Sequence, residues 1–276
     1  MRRKDTKLVE LGRKPSLHAG AVNTPIYRVS TVLFPDVATM EGENQPYTYG
    51  RRGTPTTRAL EEALCELEGG ARTVLTPSGL SACTLAILAA CGAGDHLLLT
   101  DNVYGPTKLF CERDAKRFGI ATTHFPAGIG ARIVEHFRPE TKAVFLESPG
   151  SYTFEVEDVP AIAAAAHKRG ICVIMDNTWA TPLYFDAMKH GVDLSVQAAT
   201  KYIGGHADVM LGSITANAAY RKALEQIHGD MGLYSNGDEA FLVLRGLRTL
   251  GVRLRHQQDR KSTRLNSSHV SESRMP

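Results

Sequence analysis

The chain has 276 residues, of which 43% are hydrophobic and 22% are charged. These values are typical of a globular protein with one large domain and a smaller appendage. The formal net charge of +3 is small, so the charge balance gives no reason to expect a nucleic-acid or membrane-surface partner. No apolar run reaches the length that a membrane-spanning helix requires, so we expect no membrane partner.

The cysteines and the N-terminal segment both favour a cytoplasmic protein. The five cysteines are odd in number and have no Cys-x-x-Cys spacing, which indicates reduced thiols. Residues 1–14 are basic but lack the apolar stretch of a secretory signal. We therefore expect a cytoplasmic location.

The first elements predicted along the chain are an arm and a helix. Residues 1–50 are rich in Pro, Thr and Val without a sustained period, which predicts an irregular N-terminal arm. A helical pattern follows over residues 53–68. Thr54 and Pro55 suit its cap and first turn, and Gly69 suits its end.

From residue 71 onward, strand-like and helix-like segments alternate. The predicted strands cover residues 71–76, 96–101, 120–125, 142–147, 171–176, 193–199 and 209–215, and helices are predicted at 78–91, 105–119, 131–137, 159–170 and within 218–256. This alternation predicts right-handed crossovers and a mostly parallel sheet covered on both faces. The fold class is therefore α/β, with a large domain over residues 51–258.

Two chemically active side chains follow predicted strands. Asp176 ends the apolar run ICVIM, and Lys201 follows DLSVQAA. The carboxyl ends of parallel strands open onto the crevice where α/β sheets bind ligands. A lysine that forms a Schiff base and an acid that keeps a pyridine nitrogen protonated are the pair that pyridoxal phosphate requires. We expect such a site with a desolvated Lys201, although each residue alone also suits an ordinary strand end.

A phosphate-binding cup is predicted where TPSGLSACTLAIL passes from strand to helix. Backbone N–H groups of Gly79 and Leu80 at the helix start favour an anion, and the hydroxyls of Ser78 and Thr200 would add donors. The pattern is equally compatible with a simple helix capped by Ser78. The chain has no Gly-x-Gly-x-x-Gly or P-loop motif, so dinucleotide and nucleoside triphosphate sites lack support.

Other candidate residues carry weaker signals. Tyr104 follows a strand at the same predicted edge and could stack on a planar cofactor, although a lone tyrosine more often packs. Tyr49 and Arg51 lie in the loop YTYGRRG, where an arginine suits a phosphate or belongs to a solvated basic loop. The histidines lack ligand spacing, and no metal site is predicted. Gly-x-Ser-x-Gly is absent, so a hydrolase nucleophile is unsupported.

The last 18 residues differ from the rest of the chain. Residues 259–276 are polar and serine-rich, without a helical or strand period. The run DRKSTRLNSSH, followed by a short variable stretch and SRMP, resembles the conceptual translation of a sequencing adapter. We expect this tail to be foreign to the fold; a genuine disordered tail is the alternative.

Longer motifs resemble one enzyme family. YGRRGTPTTRALEEALCELEGG, LESPGSYTFEVEDVPAI, MDNTWATPL, QAATKYIGGHAD and LRGLRTLGVRLR are similar to the Cys/Met-metabolism family of pyridoxal-phosphate enzymes, and within it to bacterial cystathionine β-lyases. The resemblance implies the aspartate aminotransferase (type I) fold. It also implies a homotetramer, built as a dimer of dimers, and a C-terminal small domain, with the arginine for the substrate carboxylate, that this chain lacks.

The resemblance also implies roles for residues. Lys201 would bind the cofactor covalently, Asp176 would pair with the pyridine nitrogen, and Tyr104 would stack on the ring. The remaining implied cofactor contacts are Gly79, Leu80 and Thr200 on the phosphate, and Tyr49 and Arg51 of the arm on the partner subunit's cofactor. The implied reaction is β-elimination of a sulfur amino acid, L-cystathionine, to homocysteine, pyruvate and ammonia in methionine biosynthesis. A γ-lyase or γ-synthase relative, or an inactive fragment, is the alternative.

Overall fold

One seven-stranded sheet lies at the centre of the protein. The computed structural model describes residues 4–42 and 44–265. Within them the strands are β1 (Arg72–Thr76), β2 (His96–Thr100), β3 (Ala121–Phe125), β4 (Thr141–Glu147), β5 (Cys172–Asp176), β6 (Leu194–Gln197) and β7 (Gly212–Ala216). Their order across the sheet is β1-β7-β6-β5-β4-β2-β3. All pairings are parallel except those of β7, which runs antiparallel to β1 and β6. The predicted mostly parallel sheet is confirmed.

Helices connect the strands and cover the sheet. In the described ranges they are α1 (Lys4–Glu10), α2 (Val37–Glu41), α3 (Pro55–Glu68), α4 (Gly79–Ala90), α5 (Gly105–Arg113), α6 (Val159–His167), α7 (Thr181–Tyr184), α8 (Arg221–Met231), α9 (Gly237–Leu247) and α10 (Leu250–Leu265). None of these helices is long and apolar enough to cross a membrane.

Two predicted α-helices were wrong in part. The segment predicted at 131–137 lies mostly in a 3-10 helix, Gly130–His136, and the segment predicted at 105–119 is α-helical only as far as Arg113. A second 3-10 helix, Ala115–Phe118, follows it. Segments this short gain few hydrogen bonds to offset the cost of starting an α-helix, so they take the tighter i to i+3 form.

Local capping explains where α3 begins and ends. The Thr54 hydroxyl accepts a hydrogen bond from the Thr57 N–H at 3.3 Å, and the Thr57 hydroxyl in turn accepts from the Thr54 N–H at 2.8 Å. Such a cap stabilises a helix by about 1 kcal/mol. Gly69 has a φ of +74° after the last helical residue, a conformation that glycine adopts without strain. The predicted boundaries of this helix are confirmed.

Both faces of the sheet are buried. Leu97 and Leu99 of β2 belong to an apolar cluster with α4 on one face, whereas Leu98 packs with α6 on the other. A further cluster places α1, α3, α9 and α10 against Leu75 of β1 and Leu211. Because side chains alternate between faces and both faces are covered, the interiors of β2, β4 and β5 are apolar and their polar residues lie at or near the strand ends.

The last helix passes the boundary that was predicted at residue 259. Helix α10 continues without a break to Leu265. Residues 252–265 contain neither Gly nor Pro, so nothing in the backbone ends the helix at the predicted position. Residues 266–276 of the predicted tail lie outside the described residues.

A buried acid joins the end of α3 to the central strands. Glu68 is only 3% exposed, and its carboxylate accepts hydrogen bonds from the Ser195 hydroxyl at 3.0 Å and the Gln197 amide at 2.9 Å. The same amide group of Gln197 also donates to the carbonyl of Asn177, at 3.1 Å. Burial raises the pKa of Glu68 from 4.5 to about 7.

Replacing Glu68 should remove a pH dependence of stability. The raised pKa means that the folded state holds a proton which the unfolded state releases, so this contribution is present below pH 4.5 and is lost as the pH rises through about 7. Glu68→Gln resembles the protonated acid. The melting temperature of this variant relative to that of the wild type should therefore rise between about pH 5 and about pH 8, by the equivalent of up to about 3 kcal/mol in the free energy of unfolding. Glu62→Gln, on the exposed side of α3, is the control. A constant difference across this range would contradict the assignment.

Candidate active site

The carboxyl edge of the sheet brings the predicted residues together. Asp176 is the last residue of β5, and the register places it beside Glu147, the last residue of β4. Strand β6, the neighbour of β5 on the other side, ends at Gln197 and leads into the turn that carries Lys201. The Lys201 N–H donates to the Ala198 carbonyl at 2.9 Å, which closes this turn. Lys201 and Asp176 thus follow adjacent strands.

Asp176 is a buried acid whose hydrogen-bond partners in the described ranges are neutral groups. It is 7% exposed; the Thr178 N–H donates to Oδ1 at 3.0 Å, and the Cys83 thiol approaches Oδ2 at 3.6 Å. Burial raises the pKa of Asp176, because the charged form loses hydration. A cationic N–H group placed against this carboxylate would make a charge-assisted hydrogen bond and offset that loss.

Lys201 does not have the burial that the sequence argument expected. Its side chain is exposed, and its ammonium group makes no hydrogen bond or ion pair with the described part of the chain. It lies four positions beyond Gln197, the last residue of β6, and therefore on the surface of the crevice rather than within the sheet. The expected desolvation was therefore wrong for this chain by itself, and the amine is accessible to an incoming aldehyde.

The start of α4 lies directly against the Lys201 turn. A Cβ atom added at Gly79 would lie 2.5 Å from the Cβ of Ala198, so only glycine permits this approach. The N–H groups of Gly79 and Leu80 are in the first turn, where a helix offers them no carbonyl partner. They can therefore bind an anion beside the turn.

Two hydroxyls predicted as phosphate donors are engaged within the protein. The Ser78 hydroxyl accepts from the Ser81 N–H at 3.1 Å and caps α4, as the simpler interpretation of the sequence expected. The Thr200 hydroxyl donates to the Leu211 carbonyl at 3.2 Å and accepts from the Leu211 N–H at 2.9 Å. The Thr200 hydroxyl has thus used its proton, whereas the Ser78 hydroxyl only accepts in the cap and keeps a proton to donate, so the available donors of the cup are backbone N–H groups and the Ser78 hydroxyl.

Glu147 is a site residue that the sequence argument did not identify. Its Oε2 atom accepts from the Tyr104 N–H at 2.7 Å, and its Oε1 atom accepts from the Ser151 hydroxyl at 2.7 Å. Burial, and then the Asp176 carboxylate, raises the pKa of Glu147 to about 7. The acid thereby fixes the backbone of Tyr104, a residue that is 42% exposed, at the start of α5 on the same edge. The sequence signal for this residue is an acid at the end of the predicted strand KAVFLE, the same position that Asp176 has in its own strand.

Tyr49 and Arg51 have their contacts elsewhere. Arg51 donates from Nη1 to the carbonyl of Gly229, in α8, at 2.8 Å, and its guanidinium carbon lies 6.0 Å from the centre of the Tyr49 ring. Tyr49 is 46% exposed and pairs through its backbone with Thr31. No hydrogen bond in the described ranges joins either residue to Asp176 or Lys201 at the carboxyl edge of the sheet. Their contact with a partner subunit's cofactor stays a prediction.

The residues at this edge fit pyridoxal phosphate chemically. Lys201 offers an accessible amine, Asp176 offers a buried carboxylate without a cationic partner among the described residues, and the glycine-dependent cup between α4 and the turn offers backbone donors. Tyr104 adds an exposed aromatic ring. An aldehyde, a protonated pyridine, a phosphate and a planar ring are the groups that such a set can hold.

Gly79→Ala should weaken cofactor binding. The added methyl group collides with Ala198 and must push the start of α4 away from the Lys201 turn, so the dissociation constant for pyridoxal phosphate should rise about tenfold or more, which is about 1.4 kcal/mol. Gly105→Ala is the matched control, since the first residue of α5 has open space around an added Cβ. Absorbance titrations of both variants measure the effect, and equal affinities would refute the role of the close approach.

Comparison with known proteins gives the same assignment. A model of the Cys/Met metabolism PLP-dependent enzyme family matches residues 5–266. A putative cystathionine beta-lyase of Rhizobium johnstonii is 50% identical over 255 residues, which cover 92% of this chain and 64% of that protein. The cystathionine beta-lyase of Escherichia coli is 46% identical over 262 residues, covering 92% and 66%. Cystathionine gamma-lyase from Lactobacillus plantarum, solved in complex with L-serine, matches with a TM-score of 0.86 at 29% identity, covering 91% and 65%.

These matches confirm the expected fold class and cofactor. The chain spans 64% of the length of the Rhizobium relative. The family model matches nearly all of this chain. The relatives include both β-lyases and a γ-lyase. The chain belongs to the Cys/Met metabolism PLP-dependent enzyme family.

Proposed function

We propose that the protein is a carbon–sulfur lyase that cleaves L-cystathionine by β-elimination. The observation that carries this proposal is the meeting, at adjacent strand ends, of an accessible lysine, Lys201, and a buried acid, Asp176, that has no cationic partner in the described part of the chain. A lyase of this kind needs an amine that can both bind a cofactor and move a proton, and an acid that keeps the cofactor electron-poor.

Each residue has a distinct task in this proposal. When bound, pyridoxal phosphate supplies the electron sink that stabilises negative charge at the substrate Cα. Lys201 holds the cofactor until substrate arrives, and its amine then takes the proton from Cα. Asp176 keeps a proton on the pyridine nitrogen, and the N–H groups of Gly79 and Leu80 hold the phosphate. Tyr104, whose backbone Glu147 fixes, would stack on the cofactor ring.

The proposed reaction consumes one water. Loss of the Cα proton and cleavage of the Cβ–S bond release homocysteine, and the remaining three-carbon fragment is hydrolysed to pyruvate and ammonia. The preference for β-elimination is supported by the printed names of the Rhizobium and Escherichia relatives. Because the chain spans 64% of the first of these, turnover is proposed for a protein of the relatives' full length, and cofactor binding is proposed for the chain itself.

A γ-elimination is the second candidate. It is supported by the similarity to the Lactobacillus enzyme, whose name specifies a γ-lyase. Both reactions begin with the same proton transfer at Cα, so Lys201 and Asp176 serve either outcome equally. The two reactions differ in which carbon–sulfur bond breaks, and hence in their products.

Assembly is part of the proposal. We place Tyr49 and Arg51 of the N-terminal arm at the cofactor of a partner subunit, in a homotetramer built from dimers. The support is the exposure of Tyr49 and the distance of both residues in sequence from Lys201 and Asp176, together with the absence, in the described ranges, of a hydrogen bond from either residue to that pair.

Lys201→Ala should abolish covalent capture of the cofactor. The wild-type chain with pyridoxal phosphate should develop a visible absorption band, and borohydride treatment should fix the cofactor mass on the peptide containing Lys201. Lys189→Ala, which removes a 76% exposed lysine elsewhere, is the control and should behave as the wild type. Equal capture by the Lys201→Ala variant would overturn the assignment.

The products of cystathionine cleavage separate the two candidates. A full-length enzyme carrying these residues should release pyruvate and homocysteine in equal amounts, because the Cβ–S bond breaks. Coupled assays for the two keto acids, with thiol identification by mass spectrometry, measure this directly. Formation of 2-oxobutyrate and cysteine would identify a γ-lyase instead.

A further inference from the structure

The turn that carries Lys201 is held from behind by one arginine of α10. Arg253 donates from Nη1 to the Tyr202 carbonyl at 2.6 Å and from Nη2 to the Ile203 carbonyl at 3.2 Å. The same Nη2 donates to the Gly246 carbonyl at 2.8 Å, and Nε donates to the Thr249 hydroxyl at 3.0 Å. A single guanidinium group therefore joins the two residues after Lys201 to the junction between α9 and α10.

Glycine contacts show how tightly these parts fit. Gly205 has a φ of +78°, and a Cβ atom there would overlap the Arg253 guanidinium group. A Cβ atom at Gly246 would overlap the carbonyl oxygen of Gly204 and lie 2.5 Å from that of Ile203. The turn and the helix junction thus pack backbone against backbone, with the guanidinium group filling the remaining space.

Helix α10 is itself anchored to the domain. Leu250 and Leu254 are buried in the cluster that contains α1 and α3. Arg255 pairs with Asp5 of α1 at 3.0 Å, but both side chains are more than half exposed, so this pair adds little. The rigid support behind the Lys201 turn therefore comes from the apolar side of α10, and Arg253 connects that support to the turn.

We propose that Arg253 is a positioning residue, which holds the Lys201 turn in the geometry needed to bind the cofactor. This inference rests on the proposed role of Lys201. A planar guanidinium group can donate to three carbonyl oxygens at once, whereas an ammonium group lacks this fixed fork. Without the Arg253 guanidinium group, the carbonyls of Tyr202 and Ile203 lose their charged hydrogen-bond donors, and the turn becomes free to open.

Amide hydrogen exchange tests whether Arg253 holds the Lys201 turn, and it does so without any cofactor. The amides of Gly204 and Gly205 close the turn by donating to the Ala199 carbonyl at 2.7 Å and the Lys201 carbonyl at 2.8 Å. In the full chain, Arg253→Ala should accelerate exchange in the peptide covering this turn by about tenfold or more, which is about 1.4 kcal/mol of protection. Arg255→Ala, on the same helix, is the matched control and should leave it unchanged. Equal exchange in Arg253→Ala and wild type would overturn the proposal.

Cofactor capture tests the consequence for Lys201. The rate at which pyridoxal phosphate becomes fixed on Lys201 by borohydride should fall about tenfold in Arg253→Ala and remain normal in Arg255→Ala. Faster exchange with normal capture would overturn the positioning role. If Arg253→Ala fails to fold, Arg253→Lys, which keeps the charge, decides by the same two measurements: slower capture supports the proposal, and wild-type behaviour overturns it.

The two proposals fail in different ways. If the wild-type chain captures no cofactor on Lys201, the proposed function fails for this chain, whereas the exchange experiment still decides whether Arg253 holds the turn. If wild type captures the cofactor and Arg253→Ala does so equally fast, the proposed function stands and the positioning role is overturned.

Discussion

Burial of the sheet on both faces is the constraint on which the site depends. Helices cover each face, so charged groups on the central strands lie at strand ends. At the carboxyl edge this places Asp176 and Glu147 side by side. Two neighbouring carboxyl groups with little solvent have raised pKa values and favour a cationic partner, which a protonated pyridine nitrogen would supply.

Close backbone approaches complete the site around that edge. Gly79 lets the start of α4 meet Ala198, and the resulting cup offers backbone N–H donors rather than charged side chains. The hydroxyls of Ser78 and Thr200 are engaged in shaping this cup. The protein thus builds its anion site from the geometry of its backbone, and a single methyl group is expected to disturb it.

Lys201 differs from the acids because it lies on a turn rather than on a strand. A turn is less constrained than a sheet, so its geometry depends on what packs behind it. Arg253 and the glycines at the junction of α9 and α10 supply that support. The exposed amine can therefore react while its backbone stays fixed, a combination that neither the strand nor the turn provides alone.

The alternation of strands and helices, the caps of α3 and α4, and the positions of Asp176 and Lys201 near strand ends could be predicted from the sequence. These features depend on local periodicity and on neighbours a few residues apart. The sequence-based prediction overestimated the burial of Lys201 and the α-helical length of two short segments. The position of Glu147 beside Asp176 and the contact of Arg253 with the Lys201 turn became visible only in the folded structure. Strand register and contacts across some fifty residues arise from packing, which no local pattern records.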